Sequence, residues 1–85
     1  MDRAGHIKKL VEDQFLVEFD DELTAASDLF KAGVMDSFGY VQLLSALEKD
    51  FALDMTDEDF IANVFTSLEA IDAFVARKIA ERDDH

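Results

Sequence analysis

The sequence predicts an all-α domain of four helices, with a short third helix and a long loop between the first two. Three observations support this prediction. Apolar residues recur at helical spacing in three separate stretches, a capping residue precedes each predicted helix, and proline is absent. The 85 residues make one domain, spanning residues 1–85. We expect its ordered core over about residues 2–80 and a frayed tail over residues 81–85.

The first helix is predicted over about residues 2–18, with Asp2 as its cap. Its apolar side carries Ile7, Leu10, Val11 and Phe15. The next stretch, about residues 20–35, has no clean period and predicts the long loop. Ser27 or Asp28 can cap a short turn in this loop, and Gly33 permits a tight bend. Four apolar residues are expected to pin the loop to the core: Leu23, Leu29, Phe30 and Val34.

The second helix is predicted over about residues 37–51. One apolar stripe runs along it: Tyr40, Leu43, Leu44, Leu47 and Phe51. At 100° per residue, Phe38 falls about 160° from Tyr40, on the outer face. The other residues expected on that face are Gly39, Gln42, Ser45 and Lys49. A large aromatic ring on a polar face, one residue from Ser37, indicates a role beyond packing.

Capping patterns predict the remaining helices. Thr56 and Asp59 form a near capping box for the short third helix, and Phe60 and Ile61 would anchor it. Thr66 and Glu69 form a second box, so the fourth helix should begin near Ser67. Its inner stripe is Leu68, Ile71, Phe74, Val75 and Ile79. Its last turns carry Arg77, Lys78 and Arg82, where cations suit the helix dipole.

Composition excludes several classes of protein. The formal net charge of −12 disfavours nucleic acid and anionic membranes, and favours partners with basic surfaces. The chain has no cysteine, and no apolar run of ~18 residues that would predict a membrane span. The first residues lack the apolar core of a signal peptide, so we expect a cytoplasmic protein, and we expect it to be a monomer.

Catalytic and metal-binding patterns are missing. The two histidines, His6 and His85, lie near opposite ends of the chain, which leaves no plausible triad. The acidic run 54–59 invites comparison with a calcium-binding EF-hand loop. Counted from Asp54, position six is Asp59 and position twelve is Phe65, where the motif needs Gly and Glu. The motif therefore fails, and only weak divalent binding is left as an alternative.

The sequence Asp36-Ser37-Phe38 places a hydroxyl beside a carboxylate at a predicted helix start. In one interpretation Ser37 is an ordinary cap. In the other it is an attachment point, because a phosphate there would face free N–H groups and the positive end of the helix dipole. The residues alone leave three classes open: a carrier, an acidic interaction module with no prosthetic group, and a small metal-responsive helical protein.

A longer segment resembles a known family. It looks like the region around the modified serine of acyl and peptidyl carrier proteins, and it reads Asp28-Leu29-Phe30-Lys31-Ala32-Gly33-Val34-Met35-Asp36-Ser37-Phe38. The likeness continues through Val41-Gln42-Leu43-Leu44 and Leu47-Glu48-Lys49-Asp50-Phe51. It is most similar to discrete, stand-alone carriers of the D-alanyl carrier type, and extends over about residues 7–76.

This resemblance implies a four-helix bundle and a non-catalytic carrier. Ser37 would receive 4′-phosphopantetheine from coenzyme A through a separate phosphopantetheinyl transferase that uses Mg²⁺. The cargo would be an acyl or aminoacyl group, bound as a thioester to the end of the arm. A loading ligase would supply it, and downstream enzymes would use it. Asp36 would help to bind the transferase and its metal. The remaining residues expected to contact partners are Met35, Phe38, Val41, Gln42, Asp57 and Glu58.

The sequence departs from carriers of fatty-acid synthesis. Those usually have Leu after the serine and several acids along the second helix, whereas this chain has Phe38 and acids only at Glu48 and Asp50. Met55-Thr56 replaces an apolar-Pro entry to the third helix. We therefore expect a specialised pathway and docking that uses the third helix. A dense interior predicts a small cargo held outside the bundle, the candidate fillers being Phe15, Phe30, Phe51, Phe60, Phe65 and Phe74.

Overall fold

The computed structural model describes residues 2–61 and 64–83, and the side chains of all of these except Phe60 and Ile61. Within those ranges there are four helices and no strand, which confirms the predicted all-α fold with a short third helix. The helices are α1 Arg3–Phe15, α2 Ser37–Asp50, α3 Asp57–Ile61 and α4 Leu68–Asp83. Helix α4 continues past residue 80, and the last two tail residues and the proposed anchoring side chains of α3 lie outside the described part.

Helix α1 begins as predicted and ends earlier than predicted. The carboxylate of Asp2 accepts a hydrogen bond from the N–H of Gly5 at 2.7 Å. The helix stops at Phe15 instead of near residue 18, because Leu16 adopts a left-handed conformation with φ of 56°. The N–H of Leu16 donates to the carbonyl of Glu12, which closes the last turn.

The long loop between α1 and α2 is attached to the core through Leu29. Its side chain is completely buried. Its N–H donates to the carbonyl of Thr66 at 2.7 Å, and its own carbonyl accepts from Val34 and Met35 at 3.0 and 3.2 Å. The backbone groups of Leu29 are thus satisfied by the loop itself and by the segment before α4, which gives the chain a defined path into α2.

The turn inside this loop follows the predicted chemistry. Of the two candidate caps, Asp28 is the one that acts, since its Oδ1 accepts from the N–H groups of Phe30 and Lys31 at 3.0 Å each. Gly33 has φ of 76°, a conformation that favours glycine. The predicted bend is therefore confirmed at residue 33.

The predicted stripes of α1, α2 and α4 face one another in a single core. Its buried side chains are Ile7, Val11, Leu29, Met35, Tyr40, Leu43, Leu44, Leu47, Leu53, Leu68, Ile71, Phe74 and Val75. Eight of these are below 2 % exposed, which indicates close packing at the centre of the molecule. Phe15, Phe30, Phe51 and Phe65 pack against this core and are partly buried.

Helices α1 and α2 run antiparallel. At one end, His6 Nε2 lies 3.0 Å from Asp50 Oδ2. At the other end, the side-chain amide of Gln14 donates to the carbonyl of Gly39 at 3.0 Å. The end of α1 therefore lies beside the start of α2, where Ser37 is found.

Helix α3 is held by the predicted capping box and by an ion pair to α4. Thr56 Oγ1 accepts from the N–H of Asp59 at 3.2 Å, and Asp59 Oδ2 accepts from the N–H of Thr56 at 2.9 Å. Lys78 Nζ lies 2.9 Å from the same carboxylate. The hydrogen bond from Thr56 and then the Lys78 ammonium lower the pKa of Asp59. The carboxylate thus stays charged and keeps α3 attached to α4.

The predicted capping box of α4 is wrong in detail. Ser67 caps the helix, because its hydroxyl accepts from the N–H of Ala70 at 3.1 Å. The N–H of Glu69 donates to the carbonyl of Ala25 at 2.9 Å, so it is not available to Thr66. The contact between Glu69 and the loop thus accompanies a shift of the helix cap by one residue, from Thr66 to Ser67.

No helix in the described ranges combines the length and the apolarity needed to cross a membrane. Nor do the described residues place three or more His, Asp or Glu side chains together as a metal site.

Candidate functional site

The start of α2 is capped by Asp36, not by Ser37. Asp36 has extended backbone angles, and its Oδ1 accepts from the N–H of Gly39 at 2.7 Å. Its carbonyl accepts from the N–H of Tyr40 at 2.8 Å. The interpretation of Ser37 as the cap is therefore wrong, and the serine hydroxyl has no part in starting the helix.

Ser37 is the first residue of α2, and its side chain is exposed to solvent. Its hydroxyl makes no hydrogen bond to any described residue. The N–H groups of Ser37 and Phe38 also have no acceptor among the described residues, as expected for the first turn of a helix. A free hydroxyl, two free donors and the positive end of the dipole thus meet at this point, which suits a covalently attached phosphate.

The last turn of α1 supports this first turn of α2 through Gly39. A Cβ atom at Gly39 would lie 2.6 Å from Cε1 of Phe15, so the ring fits only against a glycine. Gln14 binds the carbonyl of the same residue. The prediction that Gly39 lies on the outer face is wrong, since it is buried between the two helices.

We expect Gly39→Ala to destabilise the fold and to displace the turn that holds Ser37. Forcing a methyl group against Phe15 should cost about 1–3 kcal/mol of unfolding free energy, of which up to about 1 kcal/mol is regained from helix propensity. Urea unfolding measures the change. In a Phe15→Leu background the same substitution should cost much less, because the overlapping ring is gone. Equal costs in the two backgrounds would contradict this account of the contact.

Tyr40 joins the first turn of α2 to two other segments. Its ring is 3 % exposed and lies 5.9 Å from the ring of Phe30 in the loop. Its hydroxyl accepts from the N–H of Phe65 at 3.0 Å, just before α4. Burial raises the pKa of the Tyr40 hydroxyl, so the group stays neutral while it accepts this bond. The turn that carries Ser37 is thus fixed from three sides.

The outer face of α2 is apolar next to Ser37. Phe38 is 72 % exposed and Val41, three residues further along, is 44 % exposed. Gln42 is exposed beside them. The prediction that Phe38 faces outward is confirmed. We call Phe38 and Val41 the apolar patch. It has no core neighbours that would explain a phenylalanine at this position.

Met35 does not belong to this surface. It precedes Asp36 in the sequence, yet its side chain is only 4 % exposed and lies in the core. A partner therefore finds almost no Met35 surface to contact, and the expectation that its side chain lies on the rim is wrong. Because its N–H is bound by the carbonyl of Leu29, the backbone turns the side chain inward just before α2 begins.

Asp57 and Glu58 are exposed in the first turn of α3. No hydrogen bond or ion pair joins them to the turn of Ser37 within the described ranges. The segment before α3 is linked to α2 near its other end, where Glu48 Oε2 accepts from the N–H of Met55 at 3.0 Å. These acids thus make no direct link to the turn of Ser37, whereas Phe38 of the apolar patch follows the serine directly.

Sequence reasoning missed the contacts that hold Ser37 in place, namely those of Gln14 and Phe15 with Gly39 and of Tyr40 with Phe65. One signal was present. A glycine inside the first turn of a helix carries a cost in conformational entropy, so it indicates a close approach by another part of the chain. The partners in that approach depend on how α1 packs on α2, which no local pattern specifies.

An exposed, unbonded serine in the first turn of a helix, directly after the capping aspartate, is compatible with a protein that bears a covalent prosthetic group. The family model described as the phosphopantetheine attachment site matches residues 6–75. The chain is similar to the D-alanyl carrier proteins of Streptococcus mutans and Streptococcus sanguinis. Each is 33 % identical over 60 residues, which cover 71 % of this chain and 73 % of the relative. The chain therefore belongs to the phosphopantetheine-attachment family of carrier proteins.

This membership confirms the resemblance inferred from residues 28–51 and the predicted cofactor. Proteins of this family carry 4′-phosphopantetheine covalently on a serine, and are carriers rather than catalysts. The chain is accordingly a phosphopantetheine-dependent carrier that tethers an acyl or aminoacyl group as a thioester.

Proposed function

We propose that Ser37 bears the phosphopantetheine arm and that the arm carries a small aminoacyl group such as D-alanine. The observation that supports this most is the exposed, unbonded hydroxyl of Ser37 in the first turn of α2. Of the four serines in the chain, Ser37 alone follows the Asp-Ser pattern of carriers. Ser67, by contrast, is engaged in capping α4.

Asp36 supports the modification in two ways. Its Oδ1 is committed to Gly39, which holds the helix start in shape. Its second carboxylate oxygen makes no hydrogen bond to a described residue, and is therefore available to the transferase and its Mg²⁺. The arm, once attached, supplies the thiol that this cysteine-free chain does not have.

The packing of the bundle favours a small cargo held outside it. Leu43, Leu44 and Leu47 of α2 have no exposed surface. Five surface depressions are lined by residues of α1, the loops and α4, and none of these five includes a residue between 27 and 51. A short cargo on the arm needs no cavity in the bundle next to α2. The relatives named as D-alanyl carrier proteins favour the same size of cargo and a specialised pathway.

The partners in this proposal are a phosphopantetheinyl transferase, a ligase that loads the cargo, and the enzymes that use it. They dock on the apolar patch and on Gln42, with Asp57 and Glu58 offering charge to basic groups on the partner. Cytoplasmic residence and a monomeric state remain parts of the proposal.

Intact-mass spectrometry tests the proposal. The apo chain is incubated with coenzyme A, Mg²⁺ and a transferase of broad specificity, then weighed, digested and mapped. One phosphopantetheine on the peptide that contains Ser37 is the expected result. Absence of any mass gain with several transferases would favour an acidic interaction module without a prosthetic group. Mapping of the arm to another serine would refute Ser37 as the site.

We expect Phe38→Ala to impair recognition by the transferase and to leave folding almost unchanged. The ring is mostly in solvent, so its loss removes an aromatic anchor of the interface and little core packing. The KM for the carrier should rise about tenfold, equivalent to about 1.4 kcal/mol. Lys49→Ala, exposed nearer the far end of α2, is the matched control and should leave KM unchanged. A large fall in melting temperature for Phe38→Ala would instead assign the ring to the core.

A further inference from the structure

Leu16 is the residue that folding explains least. It is 88 % exposed, the highest value among the exposed large apolar side chains described. It also occupies a left-handed conformation, with φ of 56° and ψ of 48°, at the position after α1 where glycine or asparagine is usual. Solvent exposure and backbone conformation both disfavour leucine here. This combination makes Leu16 a candidate for contact with a partner.

Leu16 lies at the same end of the molecule as Ser37. It directly follows Phe15, whose ring packs on Gly39, two residues after the serine. The antiparallel pairing of α1 and α2 fixes this arrangement, since Gln14 binds the carbonyl of Gly39 while His6 pairs with Asp50 at the opposite end. Leu16 and the apolar patch therefore flank the Phe15–Gly39 contact.

The surroundings of Leu16 are negatively charged. It lines a depression with one lysine and four carboxylates: Lys9, Glu12, Asp13, Glu18 and Asp20. The only basic residue among them, Lys9, pairs with Asp13, with 3.8 Å between Nζ and Oδ2. The carboxylates of Glu12, Glu18 and Asp20 therefore have no basic partner within this depression. An apolar side chain inside an acidic rim is complementary to an apolar pocket with basic residues around it.

We propose that Leu16 is a second apolar anchor for the phosphopantetheinyl transferase that modifies Ser37, so that the transferase docks on both sides of the serine. This inference rests on the proposed function. A protein that reaches the Ser37 hydroxyl covers about 800 Å² of the carrier, a patch with a radius of about 16 Å. Leu16 follows Phe15, whose ring contacts Gly39 in the first turn of α2, and so falls in such a patch.

The acidic rim argues against two other occupants of this surface. A second copy of this chain would bring like charges together around Leu16, and an anionic lipid surface would be repelled by the same carboxylates. An enzyme whose basic residues face the carboxylates suffers neither penalty.

The matched substitutions are Leu16→Asn and Ala52→Asn. Ala52 is exposed, has φ of 52°, and follows α2 at the end away from Ser37, so asparagine is equally suited to both backbones. We expect Leu16→Asn to raise the KM of the transferase about five- to tenfold with kcat and melting temperature maintained. Ala52→Asn should leave all three unchanged, and Leu16→Met should restore the KM.

The outcomes separate this inference from the proposed function. Normal modification of Ser37 in the wild type, with equal KM values for Leu16→Asn and Ala52→Asn, would overturn the role of Leu16 alone. A wild-type chain that no transferase modifies would overturn the proposed function, and this inference with it. A loss of helicity in Leu16→Asn would also refute the inference, because it would show that leucine is needed for folding.

Discussion

Ser37→Ala is expected to abolish addition of the phosphopantetheine arm, the largest effect that any single substitution should have on this protein. The hydroxyl is the nucleophile that the modification needs, and no neighbouring side chain can replace it. The fold should be unaffected, because Asp36 supplies the cap and the serine side chain is exposed. Intact mass after incubation with transferase, coenzyme A and Mg²⁺ measures the loss directly.

Ser45→Ala is the matched control for that substitution. Ser45 is also exposed on α2, two turns further along, and lacks the preceding aspartate. It should gain one arm at the wild-type rate. Retention of the arm by Ser37→Ala, or its loss from Ser45→Ala, would refute the assignment of the attachment site.

Leu44→Ala is expected to have the largest effect on stability. Leu44 is completely buried at the centre of α2. Truncation to alanine should remove about 2–5 kcal/mol through lost burial and a residual cavity. A domain of this size has about 4–13 kcal/mol of stability in total by the usual per-residue scaling. The substitution should therefore lower the melting temperature by more than about 10 °C and unfold a measurable fraction of the chain.

Circular dichroism during urea and thermal unfolding measures this effect, with Ser45→Ala again as the control on the exposed face. Modification of Ser37 should fall only in proportion to the unfolded fraction, because Leu44 faces the core and contributes no exposed surface to docking. A melting temperature for Leu44→Ala equal to that of the control would place Leu44 outside the core and contradict the helical phase of α2.

Much of the fold could be predicted because its signals are local. The stripes of α2 and α4, the cap at Asp2 and the bend at Gly33 each depend on residues within one or two turns of one another. Boundaries that depend on distant partners were predicted less well. The cap of α4 shifts to Ser67 because the N–H of Glu69 binds the carbonyl of Ala25 in the loop. The end of α1 at Phe15 was missed for a different reason, since a leucine at position 16 gives no sign of the left-handed conformation found there.

The same distinction applies to the site. Ser37 and Phe38 could be identified from their helical phase and from the Asp-Ser pattern. The burial of Met35 and Gly39 could not, because it depends on the loop carbonyl of Leu29 and on the ring of Phe15. The sequence therefore specified the residue that carries chemistry, and tertiary packing determined how firmly it is held.

The far end of α2 has a practical consequence for work with this carrier. One residue of α1 and one near the end of α4 contact this region, since His6 pairs with Asp50 and the guanidinium of Arg82 donates to the carbonyl of Phe51. Ser37 lies a full helix away, roughly 20 Å at 1.5 Å per residue. Immobilising the protein on a solid support through the end of α4 would therefore place Ser37 about one helix length from the point of attachment. Arrays built in this way would let soluble enzymes approach every tethered molecule.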